Sequence, residues 1–158
     1  MNQLATINST IVLEQEAKYV FNTFNHTIAL ELLQAIIQTV NNLKERPVGI
    51  SIYYKEKEIL KYLMEGRKES PWLDRKTNTV LTSKHSSLYT FLEQDNNPIY
   101  KKWASDDTYA ICGGGFPISV KGVIQGAVCV SGLEHTIDHQ VIIDSFAQLA
   151  DEVYQKGV

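Results

Sequence analysis

Cysteine is nearly absent from the 158-residue chain: Cys112 and Cys129 stand alone. Two thiols cannot build a disulfide framework, and a domain of this length hides roughly 68–70% of its unfolded surface without one. No C-x-x-C pair occurs, which excludes a zinc ribbon and a thioredoxin-type redox motif. No apolar run approaches the roughly 18 residues that a membrane span needs. Positive charge is not in excess either, with 15 Lys and Arg against 18 Asp and Glu and a net charge of −3. That balance argues against a protein that tracks nucleic-acid phosphates with a basic stripe. The opening Met1-Asn2-Gln3-Leu4-Ala5 carries no basic segment ahead of an apolar one, so no leader peptide is expected. Repeats, low-complexity tracts and linkers are missing too. The expectation is one reduced, cytoplasmic domain over residues 1–158, binding neither membrane nor nucleic acid.

Periodicity supplies the elements. Ala29, Leu32, Leu33, Ile36, Ile37, Val40 and Leu43 form one apolar face of an amphipathic helix, capped at Asn25 or Thr27 and stopped before Pro47. Val48 to Tyr54 reads as a strand, Lys55-Glu56-Lys57 as a charged turn and Glu58 to Met64 as the returning strand. Ser70-Pro71 predicts a helix start with Ser70 as cap, followed by Trp72, Arg75, Lys76 and Thr79 on one side. A break at Lys84 to Ser87 leads to a second short helix ending near Pro98. Phe116, Ile118 and Val120 alternate along a strand, Gly122 turns the chain, and Ile124 to Ser131 returns. A closing helix is expected from Thr136 to about Gln155. Thr10 to Phe24 predicts an edge strand in part, although Leu13 to Lys18 also suits a helical turn or two. Hairpins imply antiparallel pairing and the helices cover the sheet, giving an α+β, three-layer α/β/α domain of profilin or PAS type.

The candidate chemistry is sparse. Gly113-Gly114-Gly115 is neither a P-loop nor G-x-G-x-x-G, and it precedes a strand. It reads as a tight strand entry or as a ligand-contacting loop. His135 and His139 lie four apart, but a helix starting at Thr136 need not present both on one face. No third ligand accompanies them, so no metal site is expected. Cys129, between valines, reads as a small buried residue, and Cys112 beside the glycines as a thiol with no assignable histidine partner. Trp72, Arg75 and Lys76, near Ser86 and Ser87, suit a planar or anionic ligand held by stacking, charge and hydroxyl bonds. The alternative is a tryptophan packed on the sheet with solvated charges at the rim.

Set in order, these residues resemble the GlcG/HbpS-like haem-degrading-domain superfamily, in the branch shared by bacteria and fungi. The resemblance rests on Gly113 to Ile118, Val128 to Leu133, Asp138-His139, Leu13 to Glu16, Phe24, Ala29 to Leu32, Trp72 with Arg75-Lys76, and Ser86-Ser87. The branch often has histidine just before the glycines, where this chain has Cys112. The resemblance implies a three-layer domain that forms dimers or larger homo-oligomers, with some members binding haem or influencing its degradation. The function expected is therefore an oligomeric small-molecule-binding protein, its ligand haem or another planar or anionic compound. Trp72, Arg75, Lys76, Ser86, Ser87, Cys112, Gly113, Gly114, Phe116, Pro117 and His139 are the candidate binding residues. An enzyme acting on haem or a small metabolite, and a scaffold for protein partners, are the rival readings. Binding is preferred because no nucleophile–base–orienter set can be assembled. Tyr53, Tyr54, Tyr62, Trp103, Tyr109 and Phe116 are the expected interface positions.

Overall fold

The computed structural model describes residues 7–156; Met1 to Ala5, where no leader was expected, lie outside them. In chain order the elements are α1 (Ser9–Lys18), β1 (Val20–Phe21), α2 (His26–Leu43), β2 (Gly49–Tyr54) and β3 (Lys57–Leu63). Then come α3 (Trp72–Ser83), α4 (Ser87–Leu92), α5 (Pro98–Trp103), β4 (Gly115–Val120), β5 (Val123–Ser131) and α6 (His135–Phe146). A 3₁₀ turn at Asp151–Val153 follows. The five strands form one sheet in the order β1-β4-β5-β2-β3. Both expected hairpins are present, and β2 pairs with β5 antiparallel. The α+β three-layer reading holds. One edge departs from it: two-residue β1 pairs parallel to β4.

Strand alternation sorts the sheet into two unlike faces. Ile50, Ile52, Phe116, Ile118, Val128 and Val130 point to one side, where the apolar stripe of α2 and the inner face of α6 complete the main core. The other face is built of small residues, with Ala127 and Cys129 meeting Leu73 and Val80 of α3. Small side chains let α3 come close. A Cβ on Gly49 would lie 3.2 Å from Leu73 Cδ1, and one on Gly115 would lie 2.9 Å from Val80 Cγ2.

Local chemistry explains where the elements differ from expectation. Asn8 caps α1 by accepting from the Ile11 N–H at 3.0 Å, and Val12 is buried, so most of the anticipated edge-strand segment is helical. At α3, Pro71 occupies the cap position with no side-chain cap bond, and Ser70 does not cap the helix as expected. The closing helix starts at His135, one residue before Thr136, and ends at Phe146, well short of Gln155. Beyond it the tail runs back along β1. Asn22 N donates to Val153 O and Gln155 N donates to Val20 O, each at 2.7 Å. Leu149 and Val153 still join the core, so their apolar spacing serves a turn as well as it would have served a helix. Two expected interface positions, Tyr54 and Phe116, belong to this core; Tyr62 is exposed.

Each hairpin closes through two residues of positive φ, Lys55 and Glu56 (51° and 71°) and Lys121 and Gly122 (52° and 84°). This backbone matches the strand twist but strains residues that carry a Cβ, so Asn-Gly is its preferred pair. The first hairpin uses Lys-Glu instead. Lys55→Asn with Glu56→Gly should therefore raise unfolding stability by about 1 kcal/mol. Urea unfolding checks it.

Candidate functional site

The ends of four elements converge at one place: the start of α3, the last residues of β5, the loop entering β4 and the first turn of α6. Lys76 and Asp138 join them. Lys76 is only 2% exposed, as is Asp138. Its Nζ donates to Asp138 Oδ2 at 3.2 Å and to the Val130 carbonyl at 2.8 Å. Asp138 Oδ1 in turn accepts from the Leu133 N–H at 3.1 Å. Each charge thus has an opposite charge and a further hydrogen-bond partner, which buried ions require. Burial pushes the Asp138 carboxyl up to about 6, while the Lys76 ammonium and the Leu133 and Gly132 backbones act in the other direction.

The glycine run exists because of this packing. A Cβ on Gly113 would collide with the His135 carbonyl. Gly114 has φ +118°, and a Cβ there would lie 2.6 Å from Lys76 Nζ and run into the Val130 carbonyl. Gly115 donates its N–H to Ser87 Oγ at 2.8 Å, and Gly113 donates to His135 Nδ1 at the same distance. Of the expected alternatives, the tight strand entry accounts for all three glycines.

In front of the ion pair lies an open cleft of about 270 Å³, lined by Arg67, Trp72, Lys76, Cys112, Ser131, Gly132, Leu133, His135 and Asp138. Trp72 is 41% exposed, with the Arg75 guanidinium 4.3 Å from its ring centroid. Arg75 is held there by donating from Nε to the Tyr109 carbonyl at 2.9 Å. The roles foreseen for a structural tryptophan and a solvated lysine are reversed: the indole is in solvent and Lys76 is inside.

Among the candidate residues, Trp72, Lys76 and Cys112 share the cleft, and Arg75 backs its rim. Ser86, Ser87, Gly113, Gly114, Phe116, Pro117 and His139 are buried and do not line it. Ser86 caps α4 by accepting from Tyr89 N at 3.3 Å. Phe116 packs on Phe146 at 5.2 Å between centroids. Arg67, Ser131, Leu133, His135 and Asp138 were not foreseen. Ser131, Leu133 and Asp138 fall in segments that carry the family resemblance, and His135 enters the sequence reading only as a possible metal ligand; Arg67 has no mark in the sequence.

Burial governs the thiols and histidines around the cleft. Burial raises the Cys112 thiol and pushes Cys129 up to about 11, so both are thiols at neutral pH and weak nucleophiles. Burial brings His139 down to about 3, with His135 adding to the effect. Because its Nε2 meets the Gln15 amide oxygen at 2.7 Å, that nitrogen carries the proton, and Nδ1 has no partner among the described residues. His135 is lowered as well, by burial and then by Lys76. Among the described residues, no three His, Cys, Asp or Glu side chains are grouped to hold a metal ion. The charge in the cleft that has no ion-pair partner among the described residues is cationic: Arg67, whose Nη2 donates to Ser131 Oγ at 3.3 Å.

The layered α/β/α domain thus carries a cationic, tryptophan-walled cleft beside its glycine entry loop. A family model for the haem-degrading HbpS-like proteins matches residues 24–147, and the chain belongs to that family. A UPF0303 protein of Psychromonas ingrahamii is 33% identical over 154 residues, covering 90% of this chain and 92% of that one. Another from Yersinia enterocolitica is 33% identical, covering 78% and 77%. The crystal structure of Ybr137w superposes with a TM-score of 0.78 at 25% identity, covering 89% of this chain and 86% of that one. A PduOC–haem complex gives 0.70 at 18% identity, covering 84% and 99%. HbpS itself gives 0.67 at 16% identity, covering 80% and 90%, and these last two establish the shared fold.

Replacing Lys76 by Met strands the Asp138 carboxylate in the interior, which should cost about 3–5 kcal/mol at pH 7.5. Without the ammonium the carboxyl rises further above 6. The loss should therefore shrink as the pH falls and the stranded group takes up a proton. Urea unfolding at pH 7.5 and pH 5 measures both effects; an equal loss at the two values contradicts the assignment.

Proposed function

We propose that the protein is a single-domain, cytoplasmic and homo-oligomeric binding protein that takes a flat, anionic small molecule in the Trp72 cleft. The observation that carries this reading is the exposed indole of Trp72. A large aromatic ring left 41% in solvent, with a guanidinium on it and a second guanidinium across the cleft, offers stacking surface and counter-charge together. Cys112 and the Lys76–Asp138 pair form the floor, and Ser87, Gly113, Gly114, Phe116, Pro117 and His139 hold that floor in place. Haem is the first ligand to try, since a protein of the same fold was solved as a haem complex. No helix among the described residues is long and apolar enough to cross a membrane.

Assembly has its own support. Leu30 and Leu43 on α2, Tyr62 on β3, Ile99 on α5 and Val123 on β5 are large apolar side chains in solvent. Among the described residues, no strand lies beside the outer edge of β3. Closed symmetric assemblies bury such patches on every subunit alike.

Titration with haem should produce a Soret band that saturates at about one per chain, and Trp72→Ala should weaken it about tenfold or more, as lost aromatic stacking does. Saturable binding unchanged by the substitution would move the ligand elsewhere. Light scattering after size exclusion should give a mass of at least two chains at micromolar concentration. A sharp one-chain mass would remove the assembly from the proposal.

A further inference from the structure

A second cleft of about 360 Å³ adjoins the first and is lined by Arg46, Pro47, Gly66, Arg67, Lys68 and Gly132. Arg67 and Gly132 belong to both. Two glycines bring the walls together. At Gly132, φ +146°, the end of β5 passes so near the α2–β2 loop that a Cβ would lie 3.0 Å from the Pro47 carbonyl. At Gly66, φ +92°, the turn after β3 leans on the ring of the same proline, 3.5 Å from where a Cβ would stand. The loop carrying Arg46 and the turn carrying Arg67 and Lys68 thereby face one another across Gly132.

The charge in this second cleft is of one sign. No acidic residue lines it. Among the described residues, no carboxylate lies in ion-pair reach of Arg46, Arg67 or Lys68; nearby Glu69 is engaged by Lys61. Three cations unneutralised around one depression, in a chain whose net charge is −3, form a local field that attracts anions. Arg67 is the hinge between the two clefts, its guanidinium tied to Ser131 Oγ and its stem within reach of both. Size points the same way. The first cleft alone lies just below the roughly 300–1,000 Å³ usual for small-molecule sites, and the two joined lie inside that range.

We propose that the ligand is elongated and carries a second anionic group, a carboxylate, sulfonate or phosphate, seated between Arg46 and Lys68 while its flat part lies against Trp72. Arg67 grips the junction. The inference rests on the reading of the Trp72 cleft as a binding site, and it adds the ligand's length and charge distribution.

The monosulfonate and the tetrasulfonate of pyrene share one flat ring system and differ in anionic groups, so their binding separates the two claims. Fluorescence anisotropy should show the tetrasulfonate bound about tenfold more tightly by the native chain, the scale of one charge-assisted contact. In Arg46→Gln/Lys68→Gln that advantage should vanish and the affinity for the monosulfonate should stay unchanged. Both side chains are exposed, so thermal unfolding of the variant should match the native chain. Equal affinity for the two dyes, or an advantage that survives in the variant, overturns the second anionic seat and leaves the Trp72 cleft standing. Binding of neither dye overturns both.

Discussion

An ammonium and a carboxylate buried together set the terms for the rest of this molecule. Lys76 comes from the second turn of α3 and Asp138 from the first turn of α6, on helices that cover opposite faces of the sheet. The two can meet only at the sheet's end, where β5 finishes and the loop entering β4 begins. Lys76 also needs a carbonyl, and Val130 supplies it. Breaking such a pair leaves a bare charge in a poorly polarisable interior, which is far costlier than losing a surface ion pair. The geometry of four chain segments is therefore fixed by one contact, and the cleft in front of it inherits that rigidity.

The same contact accounts for the glycines. Space for the ammonium exists because Gly114 has no side chain, and α6 can start where it does because Gly113 has none. Ser87, wholly buried, then satisfies the Gly115 N–H that the strand leaves unpaired. With Lys76 neutralised from behind, the field in the cleft belongs to Arg67. A flat anion would meet the indole as a wall and the guanidinium as a clamp. Burial raises both thiols and keeps His139 neutral.

Much of the fold was legible in the sequence because it is written in local periodicity. The stripe of α2 and the alternation of β4 each bury one face, and a single segment records that. Failures came where local pattern has two solutions. Leu149 and Val153 sit at helical spacing, yet backbone bonds to β1 drew the tail into a turn. Asn8 outweighed the β-branched residues of Thr10 to Val12 by capping a helix. The site was harder to read. Trp72, Lys76 and Cys112 were marked by residue type and neighbourhood, and they do share a cleft. The partnership of Lys76 with Asp138 spans 62 positions and leaves no local trace, so the sequence alone offers the lysine as a charge for a ligand or, in the alternative, for solvent. Arg67 is similarly silent: nothing in the residues around it reports a cleft formed with the ends of β5 and α6.

The pair itself can be observed by nuclear magnetic resonance, through the Lys76 ammonium nitrogen and the Asp138 carboxyl carbon. The account predicts a Lys76 ammonium whose protons exchange slowly enough to be seen at neutral pH, and an Asp138 carboxyl that titrates near 6. A Lys76 signal lost to rapid exchange, like those of surface lysines, together with an Asp138 carboxyl titrating near 3.8, would contradict it.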